Sequence, residues 1–457
     1  MGYTLSKPHS EGRRRGYKAR LLVSLSPSMP KKAKINVQKL LPNTYPLVKG
    51  LGELYSHQVQ TIRRLLGGVS VVLVAGTGSG KTEAVFLAIL ELLMSGKLTH
   101  CLIFYPTKDL ARDQETRIKV LLNKAREELG VTITYAAYHG DTPPEMLQKI
   151  EKDKPQVLIA TMDKIYYRLI REANPAFKDY LLSASLLWLD EAHAAMGHFA
   201  AHLHYMLQLY RKVNPKVITA LTTATIAAPE ELATLFAPGA KIIQGGTRRG
   251  SIRIYLVERQ ELYELIRIQV QQVLGKPRTA VLVFIDSKLE LEHLTKAINL
   301  SEEQILRPEE VKEVLKANSD PLRVEGFSGD YSAFIRSQAF HKVRRGLVKL
   351  IFATSSLELG IDLSSIITVI NVGYPITGKS GLLQRIGRLR TQPGDTRDFF
   401  LVLNPKRPEE KVYWANRNRL KRELEEGEAG AIRAALVNRE VISTTLLYVP
   451  FLKSMAK

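Results

Sequence analysis

The sequence holds a single cysteine, Cys101, and no Cys/His cluster with metal-ligand spacing, so neither a disulfide scaffold nor a zinc module is expected. No run of about 18 apolar residues occurs, and the one apolar patch near the N-terminus, Leu21 to Leu25, is too short for a signal-peptide core. No membrane segment is expected, and the setting expected is intracellular, reducing and cytoplasmic. Internal repeats and low-complexity tracts are also missing, which argues against a solenoid. Acidic residues are scarce: 45 Asp and Glu face 66 Lys and Arg, a formal charge of +21. Such an excess suits a polyanionic partner, nucleic acid first, although it also serves solubility in a heat-loving organism. The imbalance is steepest in residues 1–50, with eleven basic residues against Glu11 alone. That stretch reads either as a solvated tail or as an arm gripping phosphates.

A length of 457 residues exceeds one ordinary core, so at least two domains are expected. Ala75-Gly-Thr-Gly-Ser-Gly-Lys-Thr82 lies between an apolar run, Val69 to Val74, and a helix-like run, Glu83 to Met94. A strand, a glycine turn and a helix N-terminus in that order make a phosphate cradle. Thr77, Gly78, Ser79 and Gly80 line it, Lys81 adds a point charge, and Thr82 adds a hydroxyl for Mg2+. Ala75 stands where the strict pattern has glycine. Leu186-Leu-Trp-Leu-Asp-Glu-Ala-His193 places two carboxylates after a buried strand, which is the partner such a cradle needs. Asp190 is expected to hold Mg2+ and Glu191 to orient and deprotonate the water that attacks the γ-phosphate. His193 is expected to couple this site to the next segment, Thr222-Thr-Ala-Thr225. The cofactors read from these residues are ATP and Mg2+.

From Val69 onward, short β-branched runs alternate with helical patterns, and the alternation restarts at Thr279–Ile285 and runs to Phe399–Leu403. Two α/β units are implied, each a mainly parallel sheet flanked by helices. The glycine-rich stretch 244–251 suits a hinge between them. The boundaries expected are a basic arm over 1–48, a first domain over 49–246, a second over 247–404 and a helical C-terminal extension over 405–457. Residues 301–321 form a charged insertion to which no function is assigned.

Together these motifs resemble the superfamily 2 helicases of DExH/DEAH type, over roughly residues 50–405. The resemblance implies two tandem RecA-like domains and a nucleic-acid-dependent ATPase. Leu54-Tyr-Ser-His-Gln58 is similar to the adenine-reading Q motif, with Gln58 on the base edge and Tyr55 beside it. Pro106 to Gln114 resembles motif Ia, and Gly140-Asp141 and Thr161 fall where further strand-contacting motifs occur. In the second domain Val283 to Lys288 resembles motif IV, and Ser328-Gly329 with Arg336 a strand-binding segment. Ala353 to Asp362 is similar to motif V: Thr354 is then a backbone contact, with Gly360 and Asp362 on the nucleotide side. Gln384-Arg-Ile-Gly-Arg388 matches motif VI.

The resemblance assigns nucleic-acid contact to Thr107, Arg112, Gly140, Thr161, Ser328 and Thr354, and coupling to His193, Thr223, Thr225 and Gln384. Arg388 is the first choice of arginine finger, with Arg385 and Arg390 as helpers, because Thr391 stands where many members carry a further arginine. The strings around Thr225, Glu358 and Arg385 look most like the Lhr group and its repair-helicase relatives. Those usually carry accessory domains after the core, and about 50 residues follow here. A compact motor subunit of a CRISPR interference complex has a similar layout, so protein partners stay open. Single-stranded or forked DNA is favoured as track, with RNA an alternative. A rival reading is a nucleic-acid-binding subunit switched by ATP with little unwinding. A small-molecule P-loop kinase would not need the second α/β unit.

Overall fold

The computed structural model describes residues 12–425 apart from 15–16, 28, 51, 77, 171–173, 195–196, 224–228, 247–249, 275, 301–323, 328–341, 344, 346, 355–364, 377, 390 and 392–393. The chain falls into two compact units, one of residues 29–248 and one that joins the segment before residue 29 to 249–428. Among the described residues no helix is long and apolar enough to cross a membrane.

The described residues begin with β1 (Gly12–Arg14) and β2 (Tyr17–Leu25), and the first unit's sheet follows. Its strands are β3 (Val71–Val74), β4 (Cys101–Tyr105), β5 (Tyr135–Tyr138), β6 (Val157–Thr161), β7 (Leu186–Leu189), β8 (Ile218–Thr223) and β9 (Lys241–Gln244). All pair in parallel, in the order β5-β6-β4-β7-β8-β3-β9. Period two decides which face each side chain covers. Leu73, Ile103 and Trp188 enter one core, whereas Val72, Phe104, Leu187 and Leu189 enter the other. Burial on both faces explains why these strands read as unbroken apolar runs. Each fully buried Leu, Ile or Phe contributes about 1.5–3 kcal/mol.

The second unit contains β10 (Ser251–Glu258), β11 (Ala280–Ile285), β12 (Val324–Phe327), β13 (Leu350–Ala353), β14 (Ile366–Val372) and β15 (Thr396–Leu403). Its sheet has the order β1-β2-β10-β15-β14-β11-β13-β12, parallel from β10 to β12. At the far edge β2 runs antiparallel to β10, with Ile252 opposite Leu25. Part of the stretch that reads as a tail or arm is thus a strand of this sheet. Tyr17 anchors it: the ring meets Phe400 edge-on at 6.0 Å, and its hydroxyl accepts a hydrogen bond of 3.1 Å from Gln269 Nε2. Two short helices, Pro408–Ala415 and Arg417–Glu425, follow β15.

Parallel strands expose their carboxyl ends along one edge, where open α/β sheets receive ligands. In the first unit that edge carries the Lys81 loop after β3, Thr107 after β4, Thr161 at the end of β6, Asp190 after β7 and Thr223 at the end of β8. In the second it carries Asp286 after β11 and Thr354 after β13.

Candidate nucleotide site

The loop after β3 turns through two left-handed glycines, Gly78 and Gly80, and Gly80 caps the helix Lys81–Met94. The φ of +82° at Gly80 requires glycine, and a Cβ there would lie 2.2 Å from Gln58 Nε2 and displace that amide. Ala75 does not share that need: among the described non-glycine residues only Lys154, Glu191 and Arg278 have positive φ. The methyl group that departs from the usual pattern is therefore tolerated. Lys81 is 9% exposed, and its Nζ donates to the carbonyls of Ala75 at 2.7 Å and Gly76 at 3.2 Å. Thr82 follows in the first helical turn, and Thr77 lies outside the described residues.

The helix Ser56–Leu66 is fastened to this loop from behind. Gln58 accepts from the Tyr55 backbone N–H at 2.9 Å and donates to the Gly80 carbonyl at 3.1 Å. The expected adenine reader is thus engaged at both ends of its amide with its own helix and the loop. His57 Nε2 lies 2.9 Å from the Ser79 carbonyl, which can only accept, so that nitrogen carries the proton. Burial holds His57 below the usual histidine range; the Ser79 bond pulls the other way, and the charge of Lys81 adds to the lowering. Tyr55 stacks on the His57 ring at 5.8 Å.

Asp190 stands at the end of β7 and is 5% exposed. Its Oδ1 accepts from the Glu191 backbone N–H at 2.9 Å and from Thr222 Oγ1 at 2.7 Å. Burial, and next the charge of Glu191, push its carboxyl up to about 6, against the hydrogen bond from Thr222 and the charge of Lys81. Glu191 takes a left-handed φ of +51°, uncommon for glutamate and characteristic of functional turns. His193 Nδ1 lies 2.9 Å from Thr223 Oγ1 and 3.5 Å from Glu191 Oε2. The structure thus brings His193, Glu191 and Thr223 together, whereas Thr225 lies outside the described residues.

Elsewhere on this edge, Thr107 caps the helix Lys108–Leu129 by accepting from the Leu110 N–H at 3.3 Å. Arg112 and Lys108 both reach Asp141, at 2.9 Å and 3.2 Å. Burial pushes the Asp141 carboxyl up, but the Lys108 hydrogen bond and the charge of Arg112 outweigh it and leave it below the usual range. Gly140 is exposed beside them, and Thr161 is 4% exposed.

In the second unit Gln384 is half-buried on the helix Gly378–Ile386, and Arg388 follows that helix at 7% exposure. Arg385 is fully buried: Nη1 donates to Asn371 at 2.8 Å, Nη2 is bonded and ion-paired to Asp286, and the guanidinium lies 4.9 Å from the Phe284 ring centre. Expected as a helper at the nucleotide, Arg385 instead ties its helix to β11 and β14. Thr354 is 6% exposed at the end of β13. Ser328, Arg336, Gly360, Asp362 and Arg390 lie outside the described residues.

The motifs give no individual role to Trp188, Thr222 or Asp286, although all three lie inside the strings that carry them. Trp188 donates from Nε1 to Thr222 Oγ1 at 2.7 Å, and Asp286 receives Arg385. A lone indole among leucines in Leu186–Leu189 was the one available sign, because a buried Trp N–H demands a partner.

Residues 55–233 match the family model of the DEAD/DEAH box helicases, and residues 261–391 match the helicase conserved C-terminal domain. An uncharacterised ATP-dependent helicase of Methanocaldococcus jannaschii is 27% identical over 352 residues, covering 75% of this chain and 48% of the relative. ATP-dependent helicase HRQ1 of Saccharomyces cerevisiae is 26% identical over 383 residues, covering 79% and 34%. Among solved structures, the Mycobacterium smegmatis helicase Lhr bound to ssDNA and AMP-PNP is similar with a TM-score of 0.68 and 25% identity, over 83% of this chain and 49% of that one. The chain spans between a third and a half of the length of these proteins.

Proposed function

Because the chain belongs to the superfamily 2 helicases of DEAD/DEAH-box type, akin to the Lhr and HRQ1 helicases, we propose that it couples ATP hydrolysis to movement along single-stranded DNA and so to duplex unwinding. The observation that carries this reading is the adjacent carboxylate pair, Asp190 buried and Glu191 half-buried, on the same sheet edge as the Lys81 loop. Asp190 is fixed by Thr222, and Glu191 contacts the His193–Thr223 pair. A structural turn has no need of two adjacent carboxylates, one of them pushed up to about 6 by burial and by its neighbour.

The donor set fits Mg2+. The charged form of buried Asp190 is favoured by the Thr222 hydrogen bond and then by Lys81, against burial and the charge of Glu191, which leaves negative charge for a cation to offset. Mg2+ needs only one or two protein oxygens beside nucleotide phosphates. Asp190 and Thr82 would hold it, and when bound it neutralises charge on the phosphate oxygens. Lys81 would exchange the carbonyls of Ala75 and Gly76 for phosphate oxygens. Glu191 would orient the attacking water and take its proton, and Arg388 would stabilise charge on the transferring phosphoryl group. His193 would then pass a displacement of Glu191 to Thr223 and β8.

Thr107, Arg112 and Thr161 of the first domain and Thr354 of the second are proposed as strand contacts. Contacts to phosphate and sugar grip without reading sequence, so activity on many sequences is expected. Assembly with partner proteins, in repair or CRISPR interference, belongs to the same proposal and rests on resemblance.

A forked-duplex assay that follows ATP turnover and strand release tests the reading. Wild type should hydrolyse ATP in a strand-dependent way, and Glu191→Gln should lower turnover by about 10²–10⁴-fold while keeping strand binding. Equal phosphate release from both proteins would abolish the motor. Strand binding that responds to ATP without turnover would instead identify an ATP-switched binding subunit. That second reading is favoured by one feature: Thr391, where many relatives carry arginine, is committed to a bond with Gly250.

A further inference from the structure

Trp188, Thr222 and Asp190 form a hydrogen-bonded chain inside the first domain. Trp188 and Thr222 are fully buried, and Asp190 is nearly so. The indole Nε1 lies 2.7 Å from Thr222 Oγ1, which lies 2.7 Å from Asp190 Oδ1. Proton bookkeeping gives this chain a direction. An indole N–H is a donor only, so the threonine oxygen must accept from it. The single hydroxyl proton is then free for either the Leu189 carbonyl at 3.4 Å or Asp190 Oδ1 at 2.7 Å. The shorter, charge-assisted bond wins.

Oδ1 also accepts from the Glu191 backbone N–H at 2.9 Å. Two donors therefore converge on one oxygen and set the rotation of the carboxylate. The other oxygen, Oδ2, is the one that this arrangement offers to a cation. Tyr105 meets the indole edge-on at 6.5 Å, which helps set the ring's direction.

We infer that Trp188 is a positioning residue: through Thr222 it orients the Asp190 carboxylate for a divalent cation bound with nucleotide. The inference rests on the proposed nucleotide site. It goes beyond the motifs, which give Trp188 no role and take Thr222 only as part of the segment that His193 reaches. Orientation of a metal ligand by a buried outer partner tunes affinity for the ion without adding a contact to it.

The test measures the Mg2+ concentration that half-saturates binding of a fluorescent non-hydrolysable ATP analogue to the full chain, with thermal unfolding run alongside. Trp188→Phe keeps an aromatic ring and removes the donor. Thr222→Val keeps the shape and removes the hydroxyl, and Thr222→Ser restores it. Trp188→Phe and Thr222→Val should each raise half-saturating Mg2+ about fivefold, the size of one net hydrogen bond, with Thr222→Ser close to wild type. Their double variant should be no worse than the poorer single one, because both act through the same link. Should Trp188→Phe fail to fold, the Thr222 pair carries the decision. Half-saturation unchanged within twofold in the folded variants, or a parallel loss in Thr222→Ser, would overturn the inference. A wild type that binds nucleotide with Mg2+ yet never hydrolyses it would defeat the motor reading and leave this test intact.

Discussion

Thr391 accepts, through its hydroxyl, a hydrogen bond of 2.9 Å from the backbone N–H of Gly250. The side chain is 7% exposed, at the place where the family pattern favours arginine. Its bond pins the loop after Gly378–Ile386 to the residue just before β10. Restoring arginine there would bury a cation and strand the Gly250 N–H. Thr391→Arg should therefore lower ATP turnover, and Thr391→Val should cost about 1–3 kcal/mol of stability, read by urea denaturation. Turnover that rises in Thr391→Arg would show that the pattern matters more than the bond.

That position also shows how far a sequence can be read. The departure at Thr391 is visible in the letters, but its partner is 141 residues away and becomes apparent only in three dimensions. Strands buried on both faces, such as Leu186–Leu189 and Ala280–Ile285, are legible because nothing polar interrupts them. β2 is not legible: Lys18 and Arg20 on its exposed positions give it the composition of a tail, while Tyr17, Leu22 and Val23 do the burying. β9, with Lys241 and Gln244 exposed at its ends, escapes notice for the same reason. At the site, the glycines and the acidic pair announce themselves through spacing. The commitment of Arg385 to Asp286, or of Gln58 to Gly80, depends on which atoms meet across the fold.

Asp190 makes a pH-dependent prediction. Its carboxyl titrates near 6 in the folded chain, because of burial and then Glu191, and near 3.8 in its ordinary state. Between those values the folded protein retains a proton that the unfolded chain has released. Stability contributed by this group therefore falls as pH rises through the window. Asp190→Asn keeps an oxygen for Thr222 and Glu191 and removes the charge. It should melt higher than wild type at pH 7.5, with the advantage vanishing near pH 4, while hydrolysis is lost. Equal melting at pH 7.5 would contradict the assignment.

His57 makes the opposite one. Its folded value lies below 6.5, set first by burial and opposed by the Ser79 bond, so the unfolded chain takes up a proton before the folded one does. The stability it contributes is complete above pH 6.5 and is lost as pH falls from there toward the folded value. A Cβ on Gly245 would lie 2.7 Å from His57 Cγ, so the ring is wedged between that residue and the nucleotide loop. His57→Phe keeps the ring and removes the donor to Ser79. Nucleotide affinity should drop about fivefold, and the stability gap to wild type should narrow between pH 7.5 and 5.5. A gap that is constant across that range would remove His57 from the account.

Arg385 and Arg388 stand three residues apart and should fail in different ways. Arg385 is sealed against Asn371, Asp286 and the Phe284 ring, and Asp286 also accepts from the Ile376 N–H at 3.0 Å. Removing the guanidinium leaves a carboxylate without its cation inside the domain. Arg385→Met should cost about 3–5 kcal/mol, and adding Asp286→Asn should return part of it. Arg388→Lys should instead lower ATP turnover by about 10³-fold or more, because a lysine cannot spread its charge over several phosphoryl oxygens. Denaturation and turnover measured on the same preparations separate the two. If Arg385→Met kept full stability and lost turnover, its role would lie with the nucleotide and not with the helix it now holds.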